Sequence, residues 1–244
     1  MSVAFDAVSG GTVGGAGGTS LSFNHVLGSI TNGFVAAAIT VPTSATSLTC
    51  TINGNSASQI TGAQPVDDLP SGGFGRGAIM YIFGLTTGST TGTISIAFSW
   101  TGTVNPCGIG LSFGNVNQLT PYQNGGHVST DFGSAAISSA NFTPAGINST
   151  SGNMTVDFVA TAGSGAPSAP SQTAQGSART VNATVNAGAI WCSTAAGSTT
   201  NTHSWTTATN GSYQGGFDLI AAATASTKLS ITRFRANAFT HGRK

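Results

Sequence analysis

The chain contains no glutamate, and charged side chains are scarce throughout. Its 244 residues include only six aspartates and seven lysines or arginines, a charged fraction of 5%, whereas an average soluble domain has roughly 25%. Helices usually carry Glu and Lys on their solvated face, so this shortage argues against a helical protein. The solvated surface must instead consist of Ser, Thr, Asn and Gly, which suits strands and turns.

Other missing features exclude several classes of protein. The net charge of +1 gives no field that would draw the chain onto nucleic acid or an anionic membrane, so neither partner is expected. No stretch reaches the roughly 18 apolar residues of a membrane helix, and the N-terminus lacks the pattern of a secretory signal. The Cys and His residues also lack the spacings that are typical of metal sites. We therefore expect neither a bound metal nor a cofactor.

The cysteines are few, odd in number and far apart, at Cys50, Cys107 and Cys192. We predict that they are three buried thiols in separate strands. One disulfide with a leftover thiol is the alternative.

Short apolar or alternating runs, separated by turn residues, recur along the chain, as is typical of many antiparallel strands. Asn53-Gly54 predicts a type I′ hairpin turn, and residues 34–41 read as a fully buried strand. Further strands are predicted at 78–85, 93–100, 107–116, 154–162, 189–194, 203–207, 217–223 and 229–234. Loops are predicted at 10–18, 86–92, 117–126 and 163–170. The pattern indicates an all-β, antiparallel two-sheet sandwich, with one domain over residues 1–235 and a tail at 236–244.

Six segments with strand and turn patterns are distributed over nearly the whole chain: Val3-Ala-Phe-Asp-Ala, Leu21-Ser-Phe-Asn-His, Leu48-Thr-Cys-Thr-Ile-Asn-Gly-Asn, residues 110–121, residues 151–159 and His203-Ser-Trp. Together they resemble segments of surface sandwiches from tailed phages and bacteria. The resemblance implies a jelly-roll-like fold at a virion surface and carries no catalytic residues with it.

The segment Gly110-Leu-Ser-Phe-Gly matches the G-x-S-x-G nucleophile elbow of hydrolases. An elbow needs a strand, a strained turn and then a helix, yet turn and loop residues follow here. We therefore predict that Ser112 lies in an ordinary strand and that no residue is catalytic. An esterase remains an alternative, with triad partners drawn from His127, His203, Asp131, Asp157 and Asp218.

Three weaker signals have ordinary alternatives. Residues 10–18 share only composition with a phosphate-binding loop. Asp67 and Asp68 are candidate ligands of a cation. The ordinary alternatives are a solvated turn and an ion pair with Arg76. Tyr122, Trp205 and Tyr213 lie beside turn residues and are candidate glycan contacts, although such aromatics more often lie at the edge of a core.

The basic residues are concentrated at the C-terminal end. Five of the seven follow Asp218, namely Lys228, Arg233, Arg235, Arg243 and Lys244, and no acidic residue follows it. We predict that Arg233, Arg235, Phe239, Arg243 and Lys244 anchor the domain to a larger assembly, with arginines pairing to carboxylates. A frayed, solubilising terminus is the alternative.

These observations predict a non-enzymatic virion structural protein, such as a decoration or cement protein on the capsid of a tailed phage. Its expected partners are other virion proteins and further copies of itself, because interface cores are depleted in charge. A receptor- or glycan-binding module of a phage tail or a bacterial surface adhesin is the alternative.

Overall fold

The computed structural model describes residues 1–12, 17–42, 45–63, 78–130, 149–161, 172–175, 179–180, 189–199, 201, 203 and 212–223. Within these ranges every regular element is a strand. The strands are β1 (Ala4–Thr12), β2 (Gly18–Pro42), β3 (Thr46–Ile52), β4 (Asn55–Ser56), β5 (Ser58–Gln59), β6 (Ala78–Val104), β7 (Cys107–Gly114), β8 (Tyr122–Thr130), β9 (Met154–Thr161), β10 (Thr173–Ala174), β11 (Arg179–Thr180), β12 (Ala189–Ala196) and β13 (Ser212–Leu219).

The strands form two antiparallel sheets, which confirms the predicted all-β, two-sheet architecture. The first sheet has the order β1-β7-β2-β6-β3-β4, with β5 also paired to β6. The second has the order β10-β12-β9-β13-β8, with β11 also paired to β12. No helix that could cross a membrane occurs in the described ranges.

Strands β2 and β6 are unusually long and pair along their whole lengths. The register shifts between Leu27 and Phe34, where Gly88 and Gly92 on β6 have positive φ angles of 65° and 95°. Bulges of this kind bend a strand pair without ending it. The predicted loop at 86–92 is therefore wrong, because its turn residues lie in bulges of one continuous strand.

The bend gives the first sheet two layers, each with its own apolar contacts. Even-numbered residues of β2 from Phe34 to Ala38 face the second sheet, whereas Val35, Ala37 and Ile39 face the opposite way. The intersheet core contains Phe34, Ala36, Ala38, Ile60, Met80, Ile82, Ile109, Leu111, Phe113, Val156, Phe158, Phe217 and Leu219. A second core, which we term the outer core, contains Leu21, Leu27, Val35, Ala37, Ile39, Cys50, Ile52, Phe83, Ile94, Ile96, Phe98 and Trp100.

Glycines allow the outer layer to lie directly on β7 and β1. A β-carbon at Gly108 would lie 3.0 Å from Leu21 Cδ2, and one at Gly110 would overlap Ile96 Cδ1. On β1, a β-carbon at Gly11 would lie 3.1 Å from the Phe23 ring. The predicted loop at 10–18 is accordingly wrong at both ends, since Gly10 and Gly11 belong to β1 and Gly18 begins β2.

Two other local predictions have different outcomes. The hairpin at Asn53-Gly54 is confirmed, because both residues have positive φ angles, 51° and 77°, and Ile52 pairs with Asn55. The predicted loop at 117–126 ends earlier, since β8 starts at Tyr122 and pairs with β13.

The cysteines match the prediction of buried thiols in separate strands. Cys50, Cys107 and Cys192 lie in β3, β7 and β12, and no disulfide joins them. Burial raises the pKa of Cys50 to about 12. Burial likewise raises the pKa of Cys107 to about 11, against a smaller lowering by the Thr40 hydroxyl.

We expect the folded chain to be inert to Ellman's reagent at neutral pH, because all three thiols are buried and the raised pKa values of Cys50 and Cys107 disfavour the thiolate, which is the reactive form. All three thiols should react once the chain is unfolded in denaturant. Rapid reaction of one thiol in the folded protein would contradict this account.

Candidate functional site

Ser112 does not form a nucleophile elbow. It lies within β7, is fully buried, and its Oγ donates a hydrogen bond to Asp6 Oδ2 at 2.7 Å. The prediction that Ser112 lies in an ordinary strand is confirmed. Of its suggested triad partners, His203, Asp157 and Asp218 lie elsewhere, on the second sheet or against it. Asp131 and the His127 side chain lie outside the described residues.

The structure does bring His203 and Asp157 together, with Ser193 in place of Ser112. His203 Nδ1 lies 3.1 Å from Asp157 Oδ1 and 3.2 Å from Ser193 Oγ. Ser193 Oγ also donates to Asp157 Oδ1. These side chains are completely buried, so the three groups form a closed polar cluster.

Three further residues complete the cluster. Thr155 Oγ1 lies 2.7 Å from His203 Nε2 and accepts a hydrogen bond from Asn201 Nδ2 at 3.1 Å. Gln214 Nε2 donates to Asp157 Oδ2 at 2.6 Å. The cluster lies on the face of the second sheet opposite the intersheet core, because Thr155 and Asp157 alternate along β9 with the core residues Val156 and Phe158.

The cluster contains the groups of a catalytic triad but lacks two of its requirements. In a triad, Nδ1 of the histidine contacts the carboxylate and Nε2 contacts the nucleophile. In this cluster, Nδ1 of His203 contacts both Asp157 and Ser193. Nε2 of His203 contacts the hydroxyl group of Thr155, which is fully buried. Both hydroxyls are buried, and the contacts of His203 connect β9, β12 and β13.

A second buried carboxylate connects the loop before β9 to the edge of the second sheet. Asp218 accepts hydrogen bonds from Ser149 Oγ at 2.6 Å, Asn153 Nδ2 at 2.7 Å and Gln123 Nε2 at 3.0 Å. Asn153 Oδ1 in turn accepts from the Ala221 amide at 2.9 Å. Several donors of this kind compensate a buried carboxylate for its lost hydration.

A third polar cluster lies between β1 and the first part of β2. Asp6 is the extra residue of a bulge in β1, and both of its carboxylate oxygens accept from the Gly28 amide at 3.1 Å. Ser9 Oγ lies 2.6 Å from His25 Nδ1. The His25 ring is buried, and its Nε2 has no hydrogen-bond partner in the part of the chain that the structure describes.

The His25 environment predicts a loss of stability in acid. Burial lowers the pKa of His25 from 6.5 to about 4, and the nearby Asp6 carboxylate opposes that shift. Between these two values the unfolded chain binds more protons than the folded one, so stability falls as the pH is lowered from about 6.5 to about 4. The loss amounts to about 3 kcal/mol, because each pKa unit corresponds to about 1.4 kcal/mol.

Urea unfolding at several pH values measures this effect, with His25→Asn as the control. The variant should lose the part of the pH dependence that His25 contributes. Equal pH dependence in both proteins would contradict the assignment.

No known protein family, curated protein or solved structure matches the chain.

Among the residues that the structure describes, none on the exposed side of the outer layer is charged. We use the term outer face for this surface of β2, β6 and β3, on which exposed residues alternate with those of the outer core. It consists of Ser20, Ser22, Asn24, Val26, Thr93, Ser95, Ser99, Thr101 and Thr49. The acidic residues in the described ranges, Asp6, Asp157 and Asp218, instead accept hydrogen bonds from neighbouring groups.

The structure describes only some of the residues that were predicted to contact glycans, a cation or a larger assembly. The Tyr122 ring packs against Phe34 and Phe217, at centroid distances of 6.1 and 6.0 Å, and so contributes to the edge of the core. Tyr213 lies in β13, but its side chain, like all of Trp205, lies outside what the structure describes. The proposed anchor residues Arg233, Arg235, Phe239, Arg243 and Lys244 and the pair Asp67 and Asp68 also lie outside it. Those assignments stay predictions.

The polar clusters were hardly predictable from the sequence. Thr155 and Ser193 lie in predicted strands, where polar residues that alternate with apolar ones normally face solvent, whereas Ser9 and Gln214 lie outside the predicted strands. In the described ranges, no three His, Cys or Asp side chains come together in a way that could hold a metal ion.

Proposed function

We propose that this chain is a non-enzymatic structural protein of a virus particle, a decoration or cement protein at the capsid surface of a tailed phage. The observation that supports the proposal is the distribution of charge in the fold. The described carboxylates take part in internal hydrogen-bond networks, and the outer face presents only hydroxyl, amide and small apolar groups. The chain resembles phage surface sandwiches in its strand and turn segments, which agrees with this role.

An uncharged face suits repeated contact with other subunits. Burying an unpaired charge in an interface costs several kcal/mol, whereas hydroxyl groups exchange hydrogen bonds with water for hydrogen bonds with the partner. Two copies of such a face also meet without like-charge repulsion. We therefore infer that the partners are other virion proteins and further copies of this chain, at the virion surface.

Adding charge to the outer face should prevent incorporation into particles. We expect the double variant Ser95→Glu with Ser99→Glu to occupy particles at least about tenfold less than the parent, because a carboxylate left unpaired in an interface costs more than the roughly 1.4 kcal/mol that a tenfold change requires. Co-sedimentation with purified particles that lack the protein measures occupancy. Thr120→Glu with Thr150→Glu is the matched control, since both residues are exposed in turns away from the outer face.

A second arm of the same experiment tests the anchoring prediction for the C-terminal residues. Deleting residues 236–244 should reduce occupancy if Phe239, Arg243 and Lys244 bind the shell. If the deletion binds normally while the outer-face variant does not, anchoring depends on the outer face. Normal occupancy by both variants would contradict the proposed surface and tail contacts together.

A further inference from the structure

Ser9 and His25 form a hydroxyl–imidazole pair at an edge of the first sheet. Strand β1 pairs only with β7 among the described strands, and Ser9 is partly exposed. Its Oγ lies 2.6 Å from His25 Nδ1, within the range in which a base can take a proton from a nucleophile. Ser9 is therefore the hydroxyl of the three polar clusters that combines solvent access with a short contact to an imidazole.

The surroundings of His25 keep the ring unprotonated and therefore able to accept a proton. Burial lowers the pKa of His25 to about 4, so the ring is unprotonated at neutral pH. The Asp6 carboxylate favours the positive charge that develops when the ring takes up a proton. Hydrogen bonds from the Gly28 amide and the Ser112 hydroxyl hold that carboxylate in place. The buried Nε2 has no partner among the described residues, which leaves the ring without a competing contact on that side.

We propose that Ser9, assisted by His25, is an acceptor site for acyl groups from small activated esters. The Ser9 oxygen forms a bond to the acyl carbon while its proton passes to His25 Nδ1. The bond between the acyl carbon and the leaving oxygen then breaks, and the leaving alcohol takes the proton from Nδ1. The products are the O-acylated Ser9 and one alcohol, and no oxidant or further reactant is needed.

The same geometry indicates one modification per chain and slow turnover. An efficient hydrolase places free donors around the oxyanion of its tetrahedral intermediate. The Gly28 amide and the Ser112 hydroxyl are both directed at Asp6, so neither is free for this role. An activated ester has a better leaving group than the serine ester that it forms, so acylation of Ser9 should be faster than hydrolysis of the acyl group, which should accumulate. This reactivity is independent of the virion role proposed above.

The test uses the full-length protein with p-nitrophenyl acetate, followed by intact mass measurement and peptide mapping. We expect one acetyl group per chain, on Ser9, and none on Ser9→Ala. A folded His25→Asn variant should react about 100-fold more slowly or less, the contribution typical of a general base. The control Ser22→Ala, on the outer face, should react like the parent.

Acetylation spread over exposed serines such as Ser22 and Ser95, or none at Ser9, would overturn the proposal. Equal rates for the parent and a folded His25→Asn variant would do the same. If that variant does not fold, the pH profile of the parent decides. The rate at about pH 5.5 should remain within about twofold of that at about pH 7.5, since His25 stays unprotonated. A rate that falls about tenfold per pH unit would indicate attack without the imidazole.

Discussion

Replacing His203 with glutamine is expected to lower the free energy of unfolding by about 3–5 kcal/mol, the range for breaking a buried pair by changing one partner. The imidazole contacts Asp157, Ser193 and Thr155 at once, and all of these groups are fully buried. The substitution leaves the Asp157 carboxylate buried without one of its partners. Urea unfolding followed by tryptophan fluorescence measures the loss.

A double-mutant cycle provides the control for this prediction. Asp157→Asn alone should also destabilise the fold, but Asp157→Asn with His203→Gln should cost less than the sum of the two single changes. Groups in one hydrogen-bond network typically show such coupling, by about 0.5–3 kcal/mol. Strictly additive losses would show that the imidazole and the carboxylate do not stabilise each other.

Adding one methyl group at Gly215 is expected to destabilise the protein by at least about 3 kcal/mol, at the upper end of overpacking costs. A β-carbon there would overlap the carbonyl oxygen of Ala63 and lie 3.0 Å from Ile82 Cδ1. The overlapping atom belongs to the backbone, so the segment before residue 63 and strand β13 would have to separate.

Gly114→Ala is the matched control, because it also lies in a strand but its β-carbon would lie no closer than 3.6 Å to any neighbour. That variant should change stability by less than about 1 kcal/mol in either direction. Thermal unfolding by circular dichroism compares the two. A Gly215→Ala protein as stable as Gly114→Ala would mean that the close packing of Ala63 on β13 is wrong.

Much of the fold was predictable from local sequence patterns. The continuous apolar run at residues 34–41 indicated a strand that is buried on both faces, and Asn53-Gly54 indicated a hairpin turn. The errors occur where tertiary contacts override local signals. Residues 86–92 consist of Gly, Ser and Thr, a composition that is typical of turns, yet their pairing with β2 keeps them in a strand. Gly10 and Gly11 read as loop residues, but they pair with β7, and a side chain at Gly11 would crowd Phe23.

The polar clusters were less predictable, because their members come from distant parts of the chain. Ser193 and Asp157 are 36 residues apart, and Asp6 and Ser112 are 106 apart. Alternation places Thr155 and Asp157 on the face opposite the apolar core, which normally indicates solvent. Only the fold shows that His203 lies against that face. Asp157 and His203 were identifiable as candidate residues, but with Ser112 as the wrong partner.

We propose that this chain is an arrayed structural subunit at a virion surface. Quantitative mass spectrometry of purified particles, with the major shell protein as the internal standard, tests that claim most directly. We expect the chain to be present in a fixed ratio to the shell protein, at the stoichiometry of a lattice subunit. Absence from the particles, or only the few copies expected of a receptor-binding protein at a tail tip, would contradict it.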